Sequence, residues 1–375
     1  MYFRMLRLAW HARNARTRRQ LLLVLLVVVP VVSTIHAVCF FLDGIVFPRL
    51  RRVEIQKPVF IVGHARSGTT LTHRLLCMDP DRFSFFRLYE MFLPSLIEKK
   101  IVRALGWVDE HALGGRIAGR LRALEAKSRL AAAQEMHRTG LLEPEEDDFV
   151  LTFSMASGFW IVMAPYMGDL DFYYVDERSP RARRRLMAFY EQCLRRQLYL
   201  NGAEKIHLSK NPTFCGRIES LIETFPDARF VVLLRDPSDT IPSLLKLLQR
   251  TWQYAGWDDA AIQRSLRVLA DQSFHSYRHP LEVLGRRPEV PQAVVDYRDL
   301  VRAPKATVIE IYRSLGLAVS PEFDRVLDEQ ERRSRQHETT YRYSLEEFGL
   351  ARDEIRTRLA DLFTRYGWGT EEAAR

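Results

Sequence analysis

The sequence is poor in cysteine and lacks any close pairing of it. Cys39, Cys77, Cys193 and Cys215 are the only four in 375 residues, and none forms a CxxC pair. That spacing excludes a zinc ribbon and a disulfide framework, and it implies no oxidising compartment. No His stands at ligand spacing within the one acidic cluster, Glu143 and residues 145–148, so no metal is expected there and the run reads as a solvated helix start. Acids are missing from residues 1–20, where six arginines supply six of the nine net positive charges. What remains is too nearly neutral for a nucleic-acid-binding face, and no nucleic-acid partner is expected.

Charge of either sign is missing from residues 21–42, LLLVLLVVVPVVSTIHAVCFFL. The run reaches the roughly 20 residues that cross a bilayer core. It is long for a removable signal, and no small-residue cleavage pattern follows it. We therefore divide the start of the chain into a basic segment, 1–20, and a transmembrane or membrane-inserted segment, 21–47. Arginines before the run would hold the amino end of a spanning helix in the cytoplasm. Arg49, Arg51 and Arg52 follow it, however, and basic flanks on both sides also fit a segment lying in the interface. Single-pass and monotopic attachment both stay open.

The rest is organised around residues 57–70, KPVFIVGHARSGTT. An apolar β run enters a loop bracketed by Gly63 and Gly68, and two threonines open a helical pattern. This is a strand, a turn and a helix N-terminus, the arrangement that cradles anionic oxygens on backbone N–H groups. Missing is the Lys that follows the second glycine of a nucleotide-triphosphate loop; Thr69 stands there instead. The cation is Arg66, inside the loop, whose planar fork suits phosphate or sulfate. A glycine turn without a ligand is the other reading of the same spacing.

RSGTT after a strand resembles the 5′-phosphosulfate loop of the PAPS-dependent sulfotransferases. A second segment carries the resemblance: in ARFVVLLRDPSDTIPSLLKL an apolar strand ends at Arg235 and Ser243 follows eight positions later, similar to that family's 3′-phosphate site. The resemblance implies that Arg66, Ser67, Gly68, Thr69 and Thr70 hold the 5′ side of PAPS and that Arg235 and Ser243 hold its 3′-phosphate. VVDYRDL, near residue 297, resembles a late strand and helix of the family. A basic tail with Arg332, Arg333, Arg335, His337 and Arg342 is only loosely similar to its late basic loop.

Two further residues are assigned. Lys210 ends the strand KIHLS, as a Lys does in relatives, and is placed on the sulfuryl oxygens; the family's Lys-x-His is KNP here, so the base must come from elsewhere. Glu90 lies among Phe85, Phe86, Tyr89, Met91 and Phe92. A buried carboxylate in such surroundings would have a raised pKa, as a general base needs, and relatives resemble this layout with a catalytic Glu. The catalytic set read here is Glu90, Lys210 and Arg66, with no metal.

The implied function is sulfuryl transfer from PAPS to a hydroxyl or amine of an acceptor, giving PAP. The membrane segment, with uncharged residues 149–168, favours a lipid-linked, glycolipid or otherwise apolar acceptor. A bacterial protein would keep its catalytic domain on the cytoplasmic face, where PAPS is made. Competing readings are an atypical P-loop kinase and a membrane-tethered, non-catalytic nucleotide-binding protein. Alternating strands and helices predict an α/β fold: a three-layer α/β sandwich with a central, mainly parallel sheet, P-loop NTPase-like, with helical additions. Its sulfotransferase domain is placed at 57–320 and a C-terminal helical extension at 321–375.

Overall fold

The computed structural model describes residues 1–12, 14–127, 140–166, 169–334 and 352–369. The apolar runs of the sequence form a sheet of five strands: β1 (Val59–Gly63), β2 (Phe83–Ser84), β3 (Ile206–Lys210), β4 (Arg229–Leu234) and β5 (Gln292–Asp296). Their order is β2-β3-β1-β4-β5, and every pairing is parallel. Parallel strands need crossovers on the sheet faces, so the inner strands are buried on both sides and read as unbroken apolar runs.

Alternation along each strand sorts its side chains into two cores. Phe60 and Val62 of β1, with Phe230 and Val232 of β4, face the helices Pro180–Asn201, Ile218–Thr224 and Asp259–Gly285. Val59, Ile61, Val231 and Leu233 face the other way, onto Leu75, Val308, Ile311 and Phe323. The result is the expected three-layer sandwich. β1 is central; the chain goes from it to β2 and β3 on one side, then crosses back over it to β4 and β5 on the other. Ligands of open α/β sheets bind in the crevice at such a reversal, beyond the carboxyl ends of the strands.

At the amino end, α1 (Tyr2–Trp10) precedes one long helix, α2, over Ala15–Val46. Pro30 withholds a backbone N–H and its ring crowds the carbonyl four residues back. The helix accommodates this with a π turn at Val24–Val28 and continues unbroken. By length and composition α2 could cross a membrane, yet one side is packed on the rest of the fold, with Leu21, Leu25 and Val29 part of the larger core. After β1 come α3 (Thr69–Leu76), α4 (Leu88–Phe92), α5 (Leu96–Ala112) and α6 (Arg116–Lys127). Gly114 and Gly115, both at positive φ, separate the last two.

Candidate active site

The loop between β1 and α3 is shaped by two glycines that no other residue can replace without displacement. Gly63 has φ of 146°, and a Cβ there would meet the Leu233 carbonyl oxygen at 2.4 Å. Gly68 has φ of 97°, and its Cβ would meet the Tyr297 ring at 2.6 Å. Between them Arg66 is also left-handed, at φ 74°, a strained conformation that clusters at binding loops. His64 fixes the loop from below. Its Nε2 lies 2.9 Å from Ser273 Oγ and its ring stacks on Tyr277; burial pushes its pKa down to about 4. Gly68→Ala should cost about 1–3 kcal/mol of stability and loosen the Tyr297 side of the site. A thermal melt that matches the wild type would refute that reading of the backbone.

A cavity of about 510 Å³ opens over this loop. Arg66, Gly68, Thr69 and Thr70 line it from the β1 end, and Arg235 and Tyr297 line it from the ends of β4 and β5. The Arg235 guanidinium lies over the Tyr297 ring at 4.5 Å and bonds Asp239 at 3.2 Å. Ser243 stands just behind the wall, where Arg66 Nε donates to its Oγ at 3.2 Å. The two segments that the sequence pairs with opposite ends of one ligand therefore touch. Ser67 is fully buried, with its Oγ turned under the loop toward Gly63, and is not in the wall.

Lys210, at the end of β3, is also behind the wall. Its Nζ is 2.8 Å from Glu146 Oε1 and 3.4 Å from Thr70 Oγ1, and both partners line the cavity. Much of the remaining lining is apolar. Phe149, Phe159, Ile161 and Val162 come from the uncharged stretch, facing Leu244 and Leu248. That stretch is held by Trp252 Nε1 on the Ile161 carbonyl at 2.8 Å and by Asp148, which accepts from Ser157 Oγ and Gly158 N, both at 2.6 Å. Burial raises the pKa of the Asp148 carboxyl, against the charge of Arg217.

Glu90 does not have the surroundings expected of it. It is not among the residues lining the cavity, and its carboxyl does not have the raised pKa that its apolar neighbours in sequence imply. Burial alone would raise it, but the Lys99 charge, the Arg87 N–H, the Gln197 amide and Arg103 outweigh burial and hold it below the usual carboxylate range. Arg103 Nη2 is 3.0 Å away and Gln197 Nε2 is 2.8 Å away. The acidic run differs from expectation too. Asp147 and Asp148 are buried, Asp147 bonds Ser209 and His207 at 2.9 Å and 3.1 Å, and Glu146 faces the cavity. Its position directly before an uncharged stretch was the available signal. The basic residues 335–342 lie outside the described residues. Among the described residues no cluster of His, Cys, Asp or Glu could hold a metal ion.

Known proteins share this architecture. The chain is 29% identical over 270 residues to the omega-hydroxy-beta-dihydromenaquinone-9 sulfotransferase Stf3 of Mycobacterium bovis, and equally to that of Mycobacterium tuberculosis, covering 69% of this chain and 63% of theirs. In fold it is similar to sulfotransferase STF1 from M. tuberculosis, with a TM-score of 0.66 at 21% identity over 96% of this chain and 91% of that one. It is also similar to STF9 from Mycobacterium avium, with a TM-score of 0.64 at 18% identity over 87% and 81%. A model of the sulfotransferase family matches residues 58–321, a span that holds all five strands of the sheet, and the chain therefore belongs to the sulfotransferase family.

Proposed function

We propose that this protein transfers a sulfuryl group from PAPS to a hydroxyl of an apolar, lipid-type acceptor. The observation that carries the proposal is the mixed lining of one cavity: Arg66, Thr69, Thr70 and Arg235 share it with Phe149, Phe159, Ile161 and Val162. Backbone N–H groups at the start of α3, with Thr69 and Thr70, hold the 5′-phosphate. Arg235 and Ser243 hold the 3′-phosphate. Fixed cations then do most of the work, as in phosphoryl transfer, because the migrating group needs charge neutralisation more than covalent help.

Glu146, rather than Glu90, takes the proton in this scheme. As the acceptor oxygen bonds to sulfur, its proton passes to the Glu146 carboxylate, and the bond from sulfur to the phosphate oxygen breaks to release PAP. Lys210 and Arg66 offset the charge that grows on the bridging and sulfonyl oxygens. An apolar acceptor is supported by the cavity wall and by the hydroxylated menaquinone in the names of the mycobacterial relatives.

Isothermal titration with PAP, without magnesium, tests the donor site. Wild type should bind PAP in preference to ADP and magnesium-ATP. Arg235→Ala and Ser243→Ala should each weaken PAP by about tenfold or more, the scale of a lost charge-assisted hydrogen bond. A preference for magnesium-ATP would replace this reading with a kinase. PAP binding without turnover of labelled PAPS on membrane lipid extracts would leave a non-catalytic binding protein.

A further inference from the structure

The long apolar helix α2 does not behave as a tether joined to the domain at one end. Thr17 Oγ1 donates to the Ala255 carbonyl at 2.7 Å near its start, and Ser33 Oγ donates to the Phe153 carbonyl at 3.3 Å near its middle. His36 Nδ1 lies 2.7 Å from Glu98. At the far end the fully buried Asp43 accepts from Arg196 Nε at 2.7 Å and caps the backbone N–H groups of Leu96 and Ile97. Thr17, Ser33, His36 and Asp43 on the inner face each have a partner outside α2. From Thr17 to Asp43 the docked length is about 39 Å at ~1.5 Å per residue, more than the roughly 30 Å of a bilayer core. A helix docked over that length cannot span unless Glu98, Arg196 and the layer behind them enter the hydrocarbon as well.

The outer face of α2 is the reverse. Leu23, Leu26, Val27, Val31, Val38 and Phe41 are exposed along it, Phe41 by 70%. The apolar surface continues onto α5, which α2 holds through Asp43 and Glu98. Ile101, Leu105 and Val108 recur there at helical spacing beside Trp107, itself 62% exposed, and Ile117, Leu121 and Leu124 repeat the pattern on α6. Soluble monomers rarely expose a contiguous apolar patch of more than a few hundred Å². Exposed arginines close both ends of the α2 stripe, Arg16, Arg18 and Arg19 before it and Arg51 and Arg52 after it, and Arg116 and Arg120 flank the α6 stripe.

We propose that the outer face of α2 and the α5–α6 hairpin form one monotopic docking surface for an anionic lipid bilayer, with α2 lying along the membrane and both its ends on the same side. An apolar stripe bordered by arginines is the pattern that buries aliphatic side chains below the headgroups and pairs guanidinium groups with lipid phosphates. Phe153, which touches α2, belongs to the segment that supplies the apolar wall of the cavity. The docked membrane therefore lies beside the acceptor half of the site. The proposal adds a mode of attachment to the functional reading without depending on the donor chemistry.

The test uses the full chain in two arms. In flotation with phosphatidylcholine vesicles, with and without phosphatidylglycerol, the protein should rise with the anionic vesicles. Leu26→Glu with Phe41→Glu should weaken that binding at least about tenfold, with PAP affinity unchanged as the measure of an intact fold. In spheroplasts, single cysteines at Arg4→Cys and Arg51→Cys in a Cys39→Ser background should show the same accessibility to an impermeant maleimide. Opposite accessibility of the two would mean a spanning helix and overturn the proposal. So would vesicle binding that the double substitution leaves unchanged, or a protein that ignores vesicles and covers the face by dimerising. PAP titration reads the donor site separately, so loss of this proposal would leave the functional one standing.

Discussion

Glu146→Gln is expected to lower kcat by about a hundredfold to ten-thousandfold, the range of a lost general base, while PAP affinity holds or rises. Two carboxylates line the cavity, Glu146 and Asp148, and their surroundings separate their roles. Asp148 is 1% exposed, and its oxygens already accept from Ser157, Gly158 and Arg217. A proton delivered there would break the turn that positions Phe159. Glu146 keeps a side chain 30% exposed to the cavity and has Lys210 Nζ 2.8 Å from one oxygen. It is the carboxylate that an acceptor hydroxyl can reach. Gln preserves the shape and removes the charge, so Lys210 is left with its full attraction for an anion. That is why donor affinity should not fall. The measurement is single-turnover transfer of labelled sulfate beside PAP titration. Glu146→Asp should recover part of the rate. Turnover within a few-fold of wild type would reduce Glu146 to a partner of Lys210 and return the search for a base to the rest of the site.

The elements around the donor site were legible because their signals are local. VFIVG ends in a glycine and RFVVLL is followed by Arg235, and a parallel strand buried on both faces must be read from such an apolar run. The spacing of Gly63, Arg66 and Gly68 likewise lies within one turn. What stayed hidden depends on partners distant in sequence. The phenylalanines flanking Glu90 are visible beside it, but Lys99, Arg103 and Gln197 reach it from two other helices and reverse the expected shift. Four consecutive acids resemble a solvated turn until β3 brings His207 and Ser209 to Asp147. In the same way the apolar run of α2 reads, by length and composition, as a segment able to cross a membrane. Its docked face appears only once Arg196, far downstream, is seen on Asp43.

Glu90→Gln should destabilise the protein by about 3 kcal/mol, near the lower limit for breaking a buried charge network, and leave turnover per folded molecule unchanged. Lys99 is fully buried, over the Phe86 ring at 4.6 Å, and bonds Gln197 Oε1 at 2.6 Å. Gln197 in turn donates to Glu90, so Glu90 is the charge that balances an ammonium without access to water. Burial has pushed the pKa of Lys99 down to about 8 even with Glu90 present. Without the carboxylate Lys99 can shed its proton instead of holding an unpaired charge, which keeps the loss near the lower limit. The pH dependence has a definite sign. The folded pKa of Glu90 is below the unfolded one, so its contribution is complete above the unfolded carboxylate pKa and is lost as pH falls through the folded value. The Gln variant should therefore lose less stability on acidification than wild type. Denaturant midpoints across pH check this, and Glu90→Gln combined with Lys99→Met should recover much of the loss, because the fully buried ammonium is then gone and Arg103, the other partner of Glu90, is 40% exposed to water. A stable Glu90→Gln protein that binds PAP but does not turn over would restore Glu90 as the base and displace Glu146.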